Sequence, residues 1–274
     1  MHHLTCEACG AEFEHVRATR RYCGIACRNR ANSAYAPEKL ATERLVSAWA
    51  CGGGVQGSAI AAMIIEGDLP RPDLAYMVDC GWEPTTTWRW VRGELAPRLA
   101  QAGIELHILP TVDWSANDLW DASGHLRIPA HRHLGDGHMS KFRTHCCALW
   151  KTAVARRWLR SLGVKRGEQW IGISWDERRR EREAAQAWLG LRYPLIEQHM
   201  TREDCLFYLG QHGWPKPPRT SCVMCPQKGA GEWQALRAES PEDWERACRI
   251  DEEIRERAPD VYLLSRPVAL REME

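Results

Sequence analysis

The sequence predicts an α/β chain with a parallel sheet, preceded by a small module built on four cysteines. Three observations carry that prediction. From about residue 44, apolar runs of strand length alternate with helical patterns, and glycine-rich or acidic residues follow those runs directly. The first 36 residues instead carry paired cysteines and few large apolar side chains. Alternation of this kind implies parallel strands joined by crossover helices, with ligand sites at the strands' carboxyl ends.

The N-terminal module comes first. Cys6-x2-Cys9 and, after thirteen residues, Cys23-x3-Cys27 offer four thiolates in two close pairs, the donor set of a tetrahedral Zn²⁺. Gly10 and Gly24 ease the tight backbone, and the second pair opens a short helix. Residues 1–36 are therefore expected to form a zinc ribbon or treble clef. Arg17, Arg20, Arg21, Arg28 and Arg30 have no acidic residue among them. Such a patch suits phosphates, and equally a solvated surface.

The stretch "NSAYAPEKLATE" reads as a linker. Beyond it, "RLVSAWA" predicts a buried strand, "GSAIAAMIIEG" a helix ending at Gly67, "DLAYMVD" a second strand and "GIELHILP" a third. The helical run "ALWKTAVARRWLRSLG" leads to a fourth strand, "QWIGISWDE", and "DWERACRIDEEIRERA" reads as an amphipathic helix. The expected organisation is the module at 1–36, a nucleotide-binding domain at 40–230, and a helical extension of that domain at 231–274.

Composition excludes little. A length of 274 residues suits one medium domain with an appendage, and a net charge of +1 says nothing about partners. No run approaches the ~18 apolar residues of a membrane span, and the N-terminus lacks a basic segment followed by an apolar one. Cytoplasmic residence without membrane association is the expectation. There, twelve cysteines stay reduced and read as metal ligands or catalytic groups rather than disulfides.

The strand ends hold the candidate chemistry. The first runs into Cys51-Gly52-Gly53-Gly54-Val55-Gln56-Gly57-Ser58 and then a helix, a plausible cradle for phosphate made of backbone N–H groups and a helix N-terminus. It matches neither the Walker A nor the dinucleotide spacing. The second ends in Asp79-Cys80-Gly81-Trp82-Glu83, and the fourth in Ser174-Trp175-Asp176-Glu177 followed by Arg178, Arg179 and Arg180. Carboxylates there can hold Mg²⁺ or ribose hydroxyls, and arginine can fork onto phosphate or sulfate.

Two further cysteine groups lie downstream. Cys146 and Cys147 are adjacent, a spacing that disfavours a bond between them, and Lys151 follows four residues on. Cys222-x-x-Cys225-Pro226 supplies two more thiols, and its Cys-Pro ending is common in iron–sulfur runs. A zinc site is the alternative.

The segments "SAWACGGGVQGSA", "YMVDCGWEPTTTWRWV", "RTHCCALWK", "GISWDERRR" and "YPLIEQHMTREDCLFYLGQHGWPKPPRTSCVMCPQK" together resemble, in order, the PP-loop ATP pyrophosphatase superfamily in its phosphoadenosine-phosphosulfate (PAPS) reductase branch. The resemblance implies a five-stranded, Rossmann-like parallel sheet of the adenine nucleotide alpha hydrolase type. It implies that ATP or a related adenine nucleotide binds at Gly52, Gly53, Gly54, Gln56, Gly57 and Ser58, with Asp79, Glu83, Asp176 and Glu177 around the nucleotide and Mg²⁺. The family's loop ends in a serine where this chain has Gly57, which moves the hydroxyl to Ser58.

The paired cysteines and Lys151 are similar to the [4Fe-4S] signature of adenylyl-sulfate reductases. All four of Cys146, Cys147, Cys222 and Cys225 then ligate the cluster. In a second version, similar to tRNA-thiolating relatives, Cys147 is left as a nearby thiol. Either way Cys147, Lys151 and Arg180 are the catalytic candidates.

Sulfonucleotide reductases use a cysteine near the C-terminus, whereas the last cysteine here, Cys248, sits in a helical pattern and none follows it. The first expectation is thus ATP-dependent activation coupled to sulfur transfer onto nucleic acid, with a cysteine desulfurase or thiol reductant as sulfur source. Sulfonucleotide reduction and a non-catalytic nucleic-acid-binding role are the alternatives. His133, His138 and His145 lie in a stretch expected to be a loop over the site.

Overall fold

The computed structural model describes residues 2–6, 10–15, 23, 44–135, 137–144, 146–183 and 186–273. At the N-terminus, β1 (His2–Thr5) and β2 (Glu12–His15) pair antiparallel, with Leu4 opposite Phe13. Cys6 is buried just after β1, and its carbonyl accepts from Gly10 N–H at 2.8 Å. Cys9, Cys27, the arginine patch and the linker lie outside the described residues, so the zinc module stays an expectation from spacing.

The main sheet begins with β3 (Val46–Ala50), followed by α1 (Val55–Glu66), which ends at Gly67 with φ 89°. Next come β4 (Leu74–Asp79), then α2 (Thr85–Trp90), a π turn (Val91–Leu95) and α3 (Ala96–Gln101), and then β5 (Leu106–Pro110). Two short strands that the alternation did not signal, β6 (His131–His133) and β7 (Met139–Lys141), precede a second π turn (Ala148–Thr152) and α4 (Ala153–Ser161). The chain re-enters the sheet as β8 (Gly167–Ile171) and β9 (Leu189–Arg192). After α5 (Pro194–Glu197) and α6 (Arg202–Gln211), it finishes with α7 (Ala230–Glu239), α8 (Pro241–Arg257) and β10 (Val261–Tyr262).

The five-stranded sheet runs β5-β4-β3-β8-β9, every pair parallel. This is the Rossmann-like arrangement expected. Strand order reverses between β3 and β8, the topological switch point beside whose carboxyl ends the ligand crevice of an open α/β sheet lies.

Both sheet faces are buried, as parallel sheets require. Trp49, Ala75 and Met77 pack with α1 and α6, whereas Val46, Ala48, Tyr76 and Val78 pack with Val154, Trp158 and Leu159 of α4. The change of face at each residue is the pleat's two-residue period. A third core lies beyond the strand ends: Cys80, Trp150, Val223 and Met224 pack with Trp233 of α7 and Trp244 and Cys248 of α8. The expected helix "ALWKTAVARRWLRSLG" thus begins as a π turn, whose Trp150 is inserted into that core at 1% exposure. No helix among the described residues is long and apolar enough to cross a membrane.

One buried carboxylate ties the third core to the sheet. Asp243 Oδ2, in the first turn of α8, accepts from Thr85 N–H at 2.8 Å, Thr85 Oγ1 at 2.8 Å and Ser240 Oγ at 2.7 Å. Removing it strands buried donors at the starts of two helices. Asp243→Ala is expected to cost about 3 kcal/mol, read as a lower urea midpoint with unchanged slope.

Candidate functional site

The loop after β3 faces the switch point. Cys51 is buried, its thiol pushed up to about 12 by burial, and its Sγ accepts from Gly53 N–H at 3.4 Å. A Cβ on Gly57 would lie 3.3 Å from that sulfur and 3.4 Å from Gly52 N. The Cys51 side chain therefore occupies the space that a residue-57 side chain would need, which gives the Gly57 departure a physical reason.

The expected shift of the loop hydroxyl to Ser58 is corrected here. Ser58 is fully buried, and its Oγ accepts from Trp90 Nε1 at 3.1 Å. Its side chain holds α2 against α1 instead of facing a phosphate.

Gln56 links the loop to the far side of the crevice, donating to Ser174 Oγ and Glu177 Oε2 at 3.3 Å each. Glu177 also pairs with the exposed Arg180 at 2.5 Å. Asp176 is turned to α6, where its Oδ1 accepts from Arg202 N–H at 3.0 Å. It serves as a helix cap beside the Thr201–Asp204 capping box. Of the carboxylates expected around the nucleotide, Glu177 and Asp79 border the crevice, whereas Asp176 and Glu83 are engaged elsewhere.

Over the loop lies the segment before Cys222. A Cβ on Gly54 would come within 2.7 Å of Thr220 Oγ1, so any side chain at 54 would force the threonine to move. Two residues on, Cys222 Sγ stands 3.7 Å from Cys80 Sγ, and the main chains of the two loops are joined by Val223 N–H to Trp82 O at 2.8 Å. The Cys222–Cys225 turn is closed by Cys225 N–H to Cys222 O at 3.0 Å and clasped by the small sheet of β6, β7 and β10. His131 Nε2 lies 3.3 Å from Pro226 O, and Lys141 Nζ donates to Gln227 Oε1 at 2.7 Å. The histidine stretch is thus a strand pair gripping the cysteine turn. His145 lies outside the described residues.

Glu83 is the hub. Only 3% exposed, it accepts from Cys80 Sγ at 3.1 and 3.3 Å and pairs with Lys151 Nζ at 2.8 Å. Burial would raise its carboxyl, but Lys151 outweighs burial and holds it below its ordinary range. Lys151 is held well above its own range, with Glu83 overcoming the desolvation. Asp79 is raised, chiefly by burial.

The cysteines respond differently. Cys80 is pushed far up by its contact with Cys222 and by burial, and Cys146 by its hydrogen bond to Cys147 and by burial. Cys147 is lowered to about 6 by that same hydrogen bond, with Lys151, Arg180 and Arg182 adding to it. The charges of Cys222 and Cys225 reach Cys146, and that of Cys147 reaches both of them. All four predicted thiols therefore share one electrostatic neighbourhood.

Soft thiolates select zinc or iron–sulfur centres, and this donor set fits such a group. Among the described residues, the three donors within 4.8 Å of one another are Cys80, Glu83 and Cys222. Sequence reading passed over Cys80 as a ligand because no second cysteine stands near it in the chain. Its position directly after a strand was the available signal.

No protein-family model matches the chain, and no curated protein matches it. Among solved structures it is similar to a PAPS reductase from Candida auris in a phosphate complex, at 16% identity over 74% of this chain and 91% of that one, TM-score 0.42. It is also similar to the U34-tRNA thiolase NcsA from Methanococcus maripaludis with its [4Fe-4S] cluster, at 14% identity over 92% of this chain and 87% of that one, TM-score 0.42. Likeness at this level assigns no reaction to this chain.

Two outcomes follow from the geometry. Ser58→Ala leaves the buried Trp90 N–H without a partner and is expected to lower stability by about 1–2 kcal/mol in urea unfolding. In metal-free protein at pH 7, iodoacetamide labelling read by peptide mass spectrometry should reach Cys147 before Cys80 or Cys146. A thiol near 6 is mostly thiolate at that pH, whereas raised thiols stay protonated.

Proposed function

We propose that the chain is an adenine-nucleotide-dependent sulfurtransferase of the PAPS-reductase type, which activates an oxygen on nucleic acid with ATP and replaces it with sulfur. One observation carries the reading. The segment Thr220–Cys222 touches the glycine loop at one end and the Cys80 thiol at the other, so a phosphate cradle and a thiol group share one strand-end crevice. The ordered motifs that resemble the PP-loop enzymes support the same chemistry.

Backbone N–H groups of the loop and the first turn of α1 would receive the phosphates, with Asp79 beside the nucleotide or its Mg²⁺. The acceptor oxygen attacks the α-phosphorus, and the bond to pyrophosphate breaks. Charge on the pentavalent phosphorus would be met by those N–H dipoles and by Arg180 once it leaves Glu177. Sulfane sulfur from a cysteine desulfurase, brought to the sulfide level by two electrons from a thiol reductant that is itself oxidised to a disulfide, then displaces AMP with the former oxygen. A loaded iron–sulfur or zinc centre would hold that sulfur. Cys147, ionised at neutral pH and flanked by Lys151 and Arg180, is the thiol placed to carry or deliver it.

A cavity of about 840 Å³ on the other side of the Thr220 segment is lined by Arg89, Trp90, Arg202, Lys216, Arg219 and Lys228 among others. Glu94, Glu232 and Glu239 line it too, and Arg219 pairs with Glu232 at 2.6 Å; the remaining cations, Arg89, Arg202, Lys216 and Lys228, are the groups that would meet a phosphodiester backbone. Cys248, fully buried in α8, is not presented as a mobile nucleophile, which disfavours sulfonucleotide reduction.

The test is pyrophosphate release from ATP with Mg²⁺, with and without tRNA or DNA. Release stimulated by a polynucleotide is expected, and Gly54→Val, which drives a side chain into Thr220, should lower it at least ~10-fold by misplacing the cradle. No release from wild type with any polynucleotide would favour the non-catalytic binding role, and thiol-dependent sulfite release from adenylyl sulfate would favour the reductase.

A further inference from the structure

We propose that Cys80 and Cys222 are ligands of one mononuclear thiophilic metal ion of the zinc type, with Glu83 as the third protein donor. This deepens the reading above and rests on its metal–thiolate centre. It also places at that centre a residue outside the four cysteines that the motifs single out.

Distance is the first argument. Two thiolates each about 2.3 Å from a tetrahedral ion stand roughly 3.8 Å apart, and the Cys80 and Cys222 sulfurs are 3.7 Å apart. A disulfide needs about 2.05 Å. The spacing is a chelating one.

Rigidity is the second. Cys80 has no exposed surface, and it directly follows β4, a strand paired on both sides, with β5 and β3. Its carbonyl accepts from Asn117 Nδ2 at 3.0 Å, and the next loop residues are held by Arg246, whose guanidinium donates to the Gly81 and Glu83 carbonyls. Cys222 is tied to the same loop through Val223 and Trp82. Donors fixed this way need little reorganisation to close on an ion.

Charge is the third. Two thiolates and a carboxylate around a dication leave one negative charge, and the Lys151 ammonium, 2.8 Å from Glu83, offsets it, so a loaded site sets no uncompensated charge against the core. Three protein donors leave a tetrahedral ion one position, for a further thiolate or for exogenous sulfur.

The experiment measures zinc, iron and acid-labile sulfide per chain in protein purified without oxygen, for wild type, Cys80→Ala, Cys222→Ala and Cys205→Ala. Cys205 is a buried cysteine of the α1–α6 core and controls for truncation alone. Differences from wild type cancel any metal held by the N-terminal cysteines. Cys80→Ala and Cys222→Ala are expected to lose the same metal, with affinity against a chelator down at least ~10-fold, and Cys205→Ala to keep it. Loss of zinc alone from both variants supports the single-ion site, whereas joint loss of iron and sulfide marks a cluster, whose irons have no room for three protein donors, and overturns it. Should Cys80→Ala fail to fold by circular dichroism, Cys80→Ser, which keeps the volume, takes its place. Metal lost in Cys222→Ala but retained in the Cys80 variant overturns this proposal and spares the centre. A Cys80–Cys222 disulfide found by non-reducing peptide mapping overturns it too. Equal metal in wild type and Cys222→Ala overturns both.

Discussion

The arrangement of the site depends on the Glu83–Lys151 pair. A carboxylate this buried survives as a charge only with a partner, and Lys151 supplies one at 2.8 Å. The pair spans two chain segments: Glu83 lies in the turn after β4, and Lys151 in the π turn that carries the adjacent cysteines at its N-terminal end. Breaking a buried pair by removing one partner costs about 3–5 kcal/mol, far more than a surface bridge, although Lys151 keeps side-chain exposure of 36% and solvent offsets part of that cost. Docking of the cysteine-bearing helix against the sheet is therefore tied to the protonation and pairing of one side chain. Cys80, Arg246 and Asp79 are each placed by the same turn.

Sheet topology does the rest. Because β3 and β8 are neighbours while their connections leave in opposite directions, the loop at Gly52–Gly54 and the turn at Ser174–Glu177 face each other without either being long. Gln56 closes that gap with two hydrogen bonds. The Thr220 segment then crosses above the loop, with Thr220 Oγ1 2.7 Å from where a Cβ on Gly54 would stand. The glycine loop and a group of thiols are brought together by three strand ends and one crossing segment.

What was legible in the sequence followed local physics. Apolar runs with a two-residue or 3.6-residue period marked β3, α1, β4, β5, β8 and α8, because both sheet faces and one helix face are buried. Residues just after those strands were the right place to look, since a parallel sheet leaves its strand ends open. The antiparallel pairing of β6, β7 and β10 was not legible: His131–His133 and Met139–Lys141 are too short for periodicity, and Val261 pairs with Arg132 from far along the chain. Ser58 was misread because a helix start shows which residues are near a loop and not which face each one takes. Its hydroxyl is committed to Trp90, a contact set by how α2 crosses α1. Cys80 was in plain view but unassigned, because ligand spacing rules count neighbours along the chain and its partner is 142 residues away.

The same charges that organise the site also limit it. A nucleotide's phosphates and a set of thiolates are both anionic, and two unit charges ~8 Å apart repel by about 2 kcal/mol at an effective dielectric near 20. Several such pairs would oppose nucleotide binding beside ionised cysteines. The structure meets this in two ways. Cys80 and Cys146 are pushed up by their neighbours and by burial, which limits the negative charge of the group. The two thiols shifted down, Cys222 by its hydrogen bond from Cys80 and Cys147 by that from Cys146, both have the Lys151 ammonium near them, and Arg180 and Arg182 also act on Cys147. Arg180 in turn pairs with Glu177, which Gln56 of the glycine loop also contacts. Under the function proposed above, that pairing would couple occupancy of the loop to the charge felt by the cysteine: a phosphate that draws Arg180 away from Cys147 would raise that thiol, and one that releases it from Glu177 toward Cys147 would lower it.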